Sequence, residues 1–113
     1  MSIRQEKISR AIQRDLAPIL SQYSYKILPN QLVTIVDVVA TADLGLAKIY
    51  VSIMNSTNRE KSVDVITMHN KEIRQLLAQQ IGKRIRKIPE LHFYLDTTMD
   101  QAERIGKLLD NLK

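Results

Sequence analysis

From Ala47 to Met54 apolar and polar side chains alternate without a slip. Ala47, Ile49, Val51 and Ile53 fall on one side, Lys48, Tyr50, Ser52 and Met54 on the other. A period of two belongs to a pleated strand with one face buried. The preceding run, Leu32 to Thr41, is rich in β-branched residues and reads as a second strand. Between them, Thr41-Ala42-Asp43-Leu44-Gly45 has turn chemistry, since Asp and Gly tolerate the dihedrals of a tight reversal. An antiparallel hairpin is the simplest solution.

The flanking segments carry a different period. Over residues 3–22, Ile8, Ile12, Leu16, Ile19, Leu20 and Tyr23 share one arc at 100° per residue, while Arg4, Lys7, Arg10 and Arg14 lie opposite. That pattern predicts an amphipathic helix with a cationic outer face. Pro18 removes a backbone donor, so a kink near Arg14–Pro18, or a fresh start with Pro18 in a first turn, is expected. Tyr23 to Gln31, holding Pro29-Asn30, reads as a connecting loop. Ser56 or Thr57 is placed to cap a helix beginning near Asn58.

From Arg59 to about Arg86 the residues Val63, Ile66, Ile73, Leu76, Leu77, Ile81 and Ile85 recur every three or four positions. The phase breaks at His69-Asn70-Lys71, which predicts two helices meeting at a bend or one kinked helix. Leu91, Phe93 and Leu95 alternate with His92 and Tyr94 as a third strand. Thr98 and Gln101 form a capping box opening a last helix with Ala102, Ile105, Leu108, Leu109 and Leu112. The expected architecture is a single α+β domain over residues 1–113, in the order α-β-β-α-α-β-α.

Charge is distributed less evenly than apolar residues. The formal net charge is +5, yet Ile73 to Pro89 contains no acid and carries Arg74, Lys83, Arg84, Arg86 and Lys87. One explanation is a solvated helix end, where cations gain about 0.3–1 kcal/mol from the macrodipole. An uncompensated cluster held by a rigid fold is also a footprint for a polyanion, most commonly nucleic acid. On an unbroken wheel Arg84 falls beside Ile73 and Leu77, so either the helix ends near Gly82 or Arg84 snorkels. The Arg4, Lys7, Arg10, Arg14 stripe reads by default as an ordinary solvent face.

Several chemistries find no support. There is no cysteine, hence no disulfide or thiolate, which suits a reducing cytosol. The N-terminus lacks the apolar core of a secretory signal, and no apolar run approaches the roughly 18 residues of a membrane span. His69 and His92 have no partner at metal-ligand spacing, so both are read as structural or solvent residues. Glu90 and Asp96 are expected to cap or pair locally rather than act as an acid/base pair, because nothing else resembles a nucleophile or substrate pocket. No cofactor, small-molecule substrate or enzymatic activity is expected. The four tyrosines and one phenylalanine are too few and too evenly placed to form an obvious base-stacking platform. Recognition should therefore lean on phosphates and shape.

The element order is that of KH-like domains of the second type, a three-stranded mixed sheet covered by helices. Two segments sharpen the resemblance. Val38-Val39-Ala40-Thr41-Ala42-Asp43-Leu44-Gly45-Leu46-Ala47-Lys48-Ile49-Tyr50-Val51-Ser52 resembles the hairpin signature of the ribosome-binding factor A family. Ile88-Pro89-Glu90-Leu91-His92-Phe93-Tyr94-Leu95-Asp96 resembles that family's Pro-Glu-Leu-x-Phe-x-x-Asp strand. The basic first helix fits as well, as do Glu103-Arg104-Ile105 and Leu108-Leu109. Like the family, the chain has no Gly-x-x-Gly; its glycines are Gly45, Gly82 and Gly106. Where many members have Ala-x-Gly between the central helices, this chain has His69-Asn70-Lys71. Asn70 is the residue there suited to a positive φ, and Lys71 is positioned to contact phosphate.

The resemblance implies a bacterial, cytoplasmic and monomeric RNA-binding assembly factor. Its partner would be the free small ribosomal subunit, with rRNA bound near the 5′ terminal helix and late rRNA maturation assisted. Under that reading Arg4, Lys7, Arg10, Arg14, Lys71, Arg74, Lys83, Arg84, Arg86 and Lys87 are the candidate RNA-binding residues. The same patch would serve a general nucleic-acid module without a ribosomal role, or an interaction domain meeting an acidic protein.

Overall fold

The computed structural model describes residues 3–82 and 87–96. Lys83, Arg84, Ile85, Arg86 and the expected helix after Thr98 lie outside the described residues. The elements are α1 (Ile3–Ile27), β1 (Leu32–Ala40), β2 (Leu46–Met54), α2 (Arg59–Met68), α3 (Asn70–Ile81) and β3 (Glu90–Leu95). This is the KH-like order of the second type. The strands form one sheet ordered β1-β2-β3. β1 and β2 run antiparallel, whereas β3 joins β2 in parallel. A parallel neighbour requires a long crossover, and α2 with α3 supplies it.

Helix α1 is longer than its sequence suggests. It continues through Pro18 to Ile27, so the expected loop from Tyr23 shrinks to a few residues around Pro29-Asn30. Pro18 is exposed. The carbonyl it leaves unpaired, four residues back at Arg14, therefore faces the solvent side, where water can satisfy it. The inner face behaves as expected: Ile12, Leu16 and Leu20 are fully buried, with Ile8, Ile19 and Tyr23 packed at the margin. Two polar residues lock the helix to the sheet. Ser9 Oγ accepts from the Ala40 N–H at 2.9 Å and donates to the Gln5 carbonyl at 2.7 Å. Gln5 Nε2 donates to the Ala40 carbonyl at 3.2 Å. Both main-chain groups of Ala40 are thus satisfied by α1 side chains.

The hairpin turn is stitched by Thr41, whose hydroxyl donates to Asp43 Oδ1 at 2.7 Å and accepts from the Leu46 N–H at 3.2 Å. Asp43 Oδ1 also accepts from the Gly45 N–H at 3.1 Å. The left-handed residue is Leu44, at φ 58°, rather than Asp43 or Gly45. The Leu44 N–H bonds back to the Thr41 carbonyl at 2.9 Å, so the turn imposes the conformation that Leu44 would not choose alone. In β1 the register shifts between Ile35 and Asp37, leaving exposed Val36 as a bulge. The α2 cap is Asn58, whose side chain accepts from the Lys61 N–H, and not Ser56 or Thr57. Ser56 instead braces that cap, accepting from the Asn58 N–H at 3.2 Å and pairing with the Ser62 hydroxyl at 2.9 Å.

The break in helical phase is real and sits on His69, at φ −101° and ψ 14°. That is the sparsely populated bridge region, so the bend needs no positive φ and Asn70 adopts none. His69 Nδ1 lies 3.0 Å from the Val65 carbonyl, and its ring meets Tyr23 edge-on at 5.6 Å. The Tyr23 hydroxyl donates to Glu72. Asn70 opens α3 and donates Nδ2 to the Leu91 carbonyl at 2.5 Å, tying the crossover to β3.

One core lies between the helices and a single face of the sheet. Val33, Ile35, Val38, Ala47, Ile49, Val51, Ile53, Leu91 and Phe93 meet Ile66, Ile73, Leu77, Ile81 and the α1 stripe there. Leu76, expected on that face, is 37% exposed and points outward. The other face of the sheet is more open. On it Lys48 is paired in register with His92, and Tyr50 with Tyr94, whose rings sit 5.7 Å apart at 30°.

Candidate nucleic-acid interface

The end of α2, the first turns of α3 and the entry to β3 enclose an open groove of about 560 Å³. Lys71 and Arg74 line it from α3, Lys87 and Ile88 from the chain entering β3, and Gly45 from the hairpin turn. The elements meet here for identifiable reasons. Ile88 and Pro89 are buried beside the core, and the Glu90 N–H bonds the Gly45 carbonyl at 3.0 Å, which starts the parallel ladder. Arg74 then closes the junction. Its Nη2 donates to the Ile88 carbonyl at 2.5 Å and its Nε to the Pro89 carbonyl at 3.2 Å.

Those partners matter electrically. A carbonyl satisfies the guanidinium's hydrogen-bonding geometry without cancelling its charge, so Arg74 remains a fixed unit of positive potential. Lys71 and Lys87 are exposed. Glu90 is the one carboxylate among the described residues lining the groove, and its Oε1 lies 3.5 Å from His92 Nε2. Nearby, the Asp43 carboxyl is held below its ordinary value by the Thr41 hydroxyl and the Gly45 N–H, with a smaller contribution from Lys87. The lining is therefore cationic, and it combines side chains from two separated segments.

The α1 stripe is arranged differently. Arg4, Lys7, Arg10 and Arg14 are all exposed, as the helical period predicts, but none lines the groove. Arg10 is bonded to Glu6 at 2.7 Å, and Arg14 Nε reaches Asp15 at 3.2 Å. Lys83, Arg84 and Arg86 lie outside the described residues.

A family model for ribosome-binding factor A matches residues 4–109, nearly the entire sequence and every element described. This chain belongs to the ribosome-binding factor A family. Curated ribosome-binding factor A proteins match nearly all of this chain and most of their own length. The Chlorobaculum tepidum protein is 42% identical, covering 100% of this chain and 93% of its own. That of Prosthecochloris aestuarii is 43% identical, covering 96% and 88%. Among solved structures, a crystal structure of ribosome-binding factor A from Thermus thermophilus superposes with a TM-score of 0.67 at 19% identity, covering 80% of this chain and 94% of that one. A Thermus thermophilus ribosome-binding factor A homology model, fitted into a cryo-electron microscopy map of a 30S complex, gives 0.62 at 20% identity, covering 78% and 90%. At that identity the structures speak to the fold, which is the KH-like one.

Within the ribosome-binding factor A frame, two features of the site escaped the sequence. Arg74 stood out as a cation, but its clasp on Ile88 and Pro89 depends on the angle between α3 and β3, which no spacing encodes. The tyrosines at positions 50 and 94 lie far apart in the chain, and only the β2–β3 register makes them neighbours. Among the described residues no group of three or more His, Asp or Glu side chains could hold a metal ion. No described helix is long and apolar enough to cross a membrane.

Proposed function

We propose that this protein binds the free small ribosomal subunit in the bacterial cytoplasm and assists late maturation of its rRNA, acting near the 5′ terminal helix and without catalysis. The observation that carries the reading is the groove in which Lys71, Arg74 and Lys87 face one space, with a single carboxylate among the described lining residues. Family membership supplies the partner, and a relative placed in a 30S complex supports it. Lys71 and Lys87 supply mobile ammonium groups for phosphates, and Arg74 holds the wall between them in place. Lys83, Arg84 and Arg86 extend the same acid-free run, and Arg4 and Lys7 add cations on α1.

The mechanism needs binding energy alone. Neutralising phosphates releases condensed counterions, and a rigid groove fits one rRNA conformation better than its alternatives. A protein with that preference shifts the population towards the conformation it fits, as far as its differential affinity allows. No bond is made or broken, and a monomer suffices.

Sedimentation of lysate through a sucrose gradient tests the partner: the protein should travel with free small subunits and be absent from translating ribosomes. Salt titration tests the physics. If roughly five phosphates are neutralised, log K should fall against log salt with a slope of about −3.5 to −4.5. Affinity that ignores salt would remove the groove from the account. Equal affinity for naked duplex and for free subunits would reduce the protein to a general nucleic-acid module.

A further inference from the structure

The outer face of the sheet bears a pair of aromatic rings that the phosphate groove does not use. Tyr50 and Tyr94 are direct partners in the parallel register, with centroids 5.7 Å apart and planes tilted by 30°. Tyr94 is 40% exposed and Tyr50 half-buried, so the pair presents a continuous aromatic surface to solvent. One step back along the same strands, Lys48 stands opposite His92, and Ser52 stands opposite Thr34 on the other side. We propose that this face is a second subsite, a stacking platform for an unpaired base of the RNA strand whose phosphates occupy the groove. The proposal rests on the function argued above and adds a contact with the bases.

Three observations select this occupant. The rings are tilted side by side instead of being buried against an aliphatic cluster, so their π-faces are available, and every base has a π-face to match. The surroundings are polar: Lys48, His92, Thr34 and Ser52 border the rings, with the Asp37 carboxylate opposite Tyr50 on β1, and a margin of hydroxyls with a cation at Lys48 suits a nucleotide's sugar and phosphate better than an apolar protein surface. The platform also continues from the groove. Glu90 opens β3 and lines the groove, and Tyr94 lies four residues further along that strand, about 13 Å away at the rise of a β-strand. An RNA strand anchored at Lys87 therefore reaches the rings by following β3. A groove of cations reads only the backbone, whereas a base platform distinguishes unpaired from paired RNA.

The chain has four tyrosines and no tryptophan, so its intrinsic emission comes from tyrosine alone, with Tyr50 and Tyr94 as two of the four emitters. The full-length protein is titrated with a short oligoadenylate and with the same oligomer made abasic. The expected results are quenching by the base-bearing oligomer alone, and ultraviolet crosslinks mapping to Tyr50 or Tyr94 in the unaltered protein. Tyr94→Leu should weaken binding of oligoadenylate roughly ten-fold while leaving the abasic oligomer and the salt slope unchanged. Tyr94→Phe should bind as the natural chain does. A Lys71→Ala, Lys87→Ala double variant should weaken both oligomers equally. If Tyr94→Leu binds both as the natural chain does, and crosslinks fall elsewhere, while the lysine variant loses both, the platform is overturned and the groove stands. If neither variant matters, both readings fall. A dimer that dissociates on Tyr94→Leu, with RNA affinity unchanged, would assign the face to a second copy and also overturn the proposal.

Discussion

Helix α1 and the α3–β3 junction are both basic, yet they handle charge in opposite ways. On α1 the cations follow the helical period around a solvated face, and two of them lean on carboxylates of the same helix, Arg10 on Glu6 and Arg14 on Asp15. At the junction Lys71, Arg74 and Lys87 come from two segments and surround one space, and Arg74 is held by main-chain carbonyls that leave its charge intact. Exposed ion pairs such as those on α1 contribute little to stability and lower the local potential. Clustering along the sequence thus differs from convergence in space. Only convergence focuses a field, because the side chains must point into a common volume bounded by protein.

The sharpest way to break this comparison is to remove equal charge from each region. Lys71→Ala with Lys87→Ala should reduce affinity for small-subunit rRNA about 100-fold, taking each lost charge-assisted contact as about 1.5 kcal/mol. The salt slope should become shallower by about 1.4 to 1.8. Arg10→Ala with Arg14→Ala removes the same formal charge, and affinity should change less than about three-fold, since these cations are already paired. Filter binding across a salt series measures both. Equal losses from the two double variants would erase the distinction between stripe and groove.

A second test asks what α1 does if it is not the principal contact. Ser9 is 5% exposed, and its hydroxyl is the partner of the Ala40 N–H. Ser9→Ala strands a buried donor at the end of β1 and should cost about 1–2 kcal/mol of stability in denaturant unfolding. RNA affinity of the folded fraction should be unchanged. A variant that stays fully stable but loses RNA would make the helix part of the interface after all.

The same contrast explains what the sequence could reveal. Local rules served well wherever one face of one element decided the outcome: the alternation of β2, the buried arc of Ile12, Leu16 and Leu20, and the phase break at His69. They failed where a distant partner settled a local choice. Leu44 takes the left-handed conformation because Thr41 and Leu46 close around it. Helix α1 runs through Pro18 because the vacated carbonyl faces solvent while the opposite face stays packed. Asn58, with Ser56 bracing it, took the cap expected of its neighbours. At the site, Lys71, Arg74 and Lys87 were legible as cations, but which cations share a space depends on the crossover geometry. The Tyr50–Tyr94 pair was invisible for the same reason: parallel register joins residues that nothing links locally.

Arg74→Lys separates position from charge within the groove. Lysine keeps the positive charge but has no planar fork to bridge the Ile88 and Pro89 carbonyls. Losing one of those two hydrogen bonds should cost about 1 kcal/mol of stability. The salt slope should stay as it was, because the charge is conserved. Thermal unfolding and the salt series together decide it. Weaker rRNA binding at unchanged stability would make Arg74 a direct phosphate ligand, dependent on its fork, instead of the brace of the junction.

The smallest effect belongs to Asp43, the carboxylate in the turn that overlooks Lys87. Its folded pKa lies below the ordinary 3.8, chiefly through the Thr41 hydroxyl and the Gly45 N–H. Ionised Asp43 therefore favours the folded state at pH values above the ordinary carboxylate range, and that contribution disappears as pH falls through the lowered value. Asp43→Asn preserves an oxygen to accept both hydrogen bonds and removes only the charge. The variant should unfold slightly below the natural chain at pH 7, and the two melting temperatures should converge as the pH falls through the lowered value. At pH 7 it should also bind rRNA slightly more tightly, because a negative charge near Lys87 is gone. The two readouts move in opposite directions for one electrostatic reason. If both fell together at pH 7, the turn itself, and not its charge, would be what Asp43 contributes to the groove.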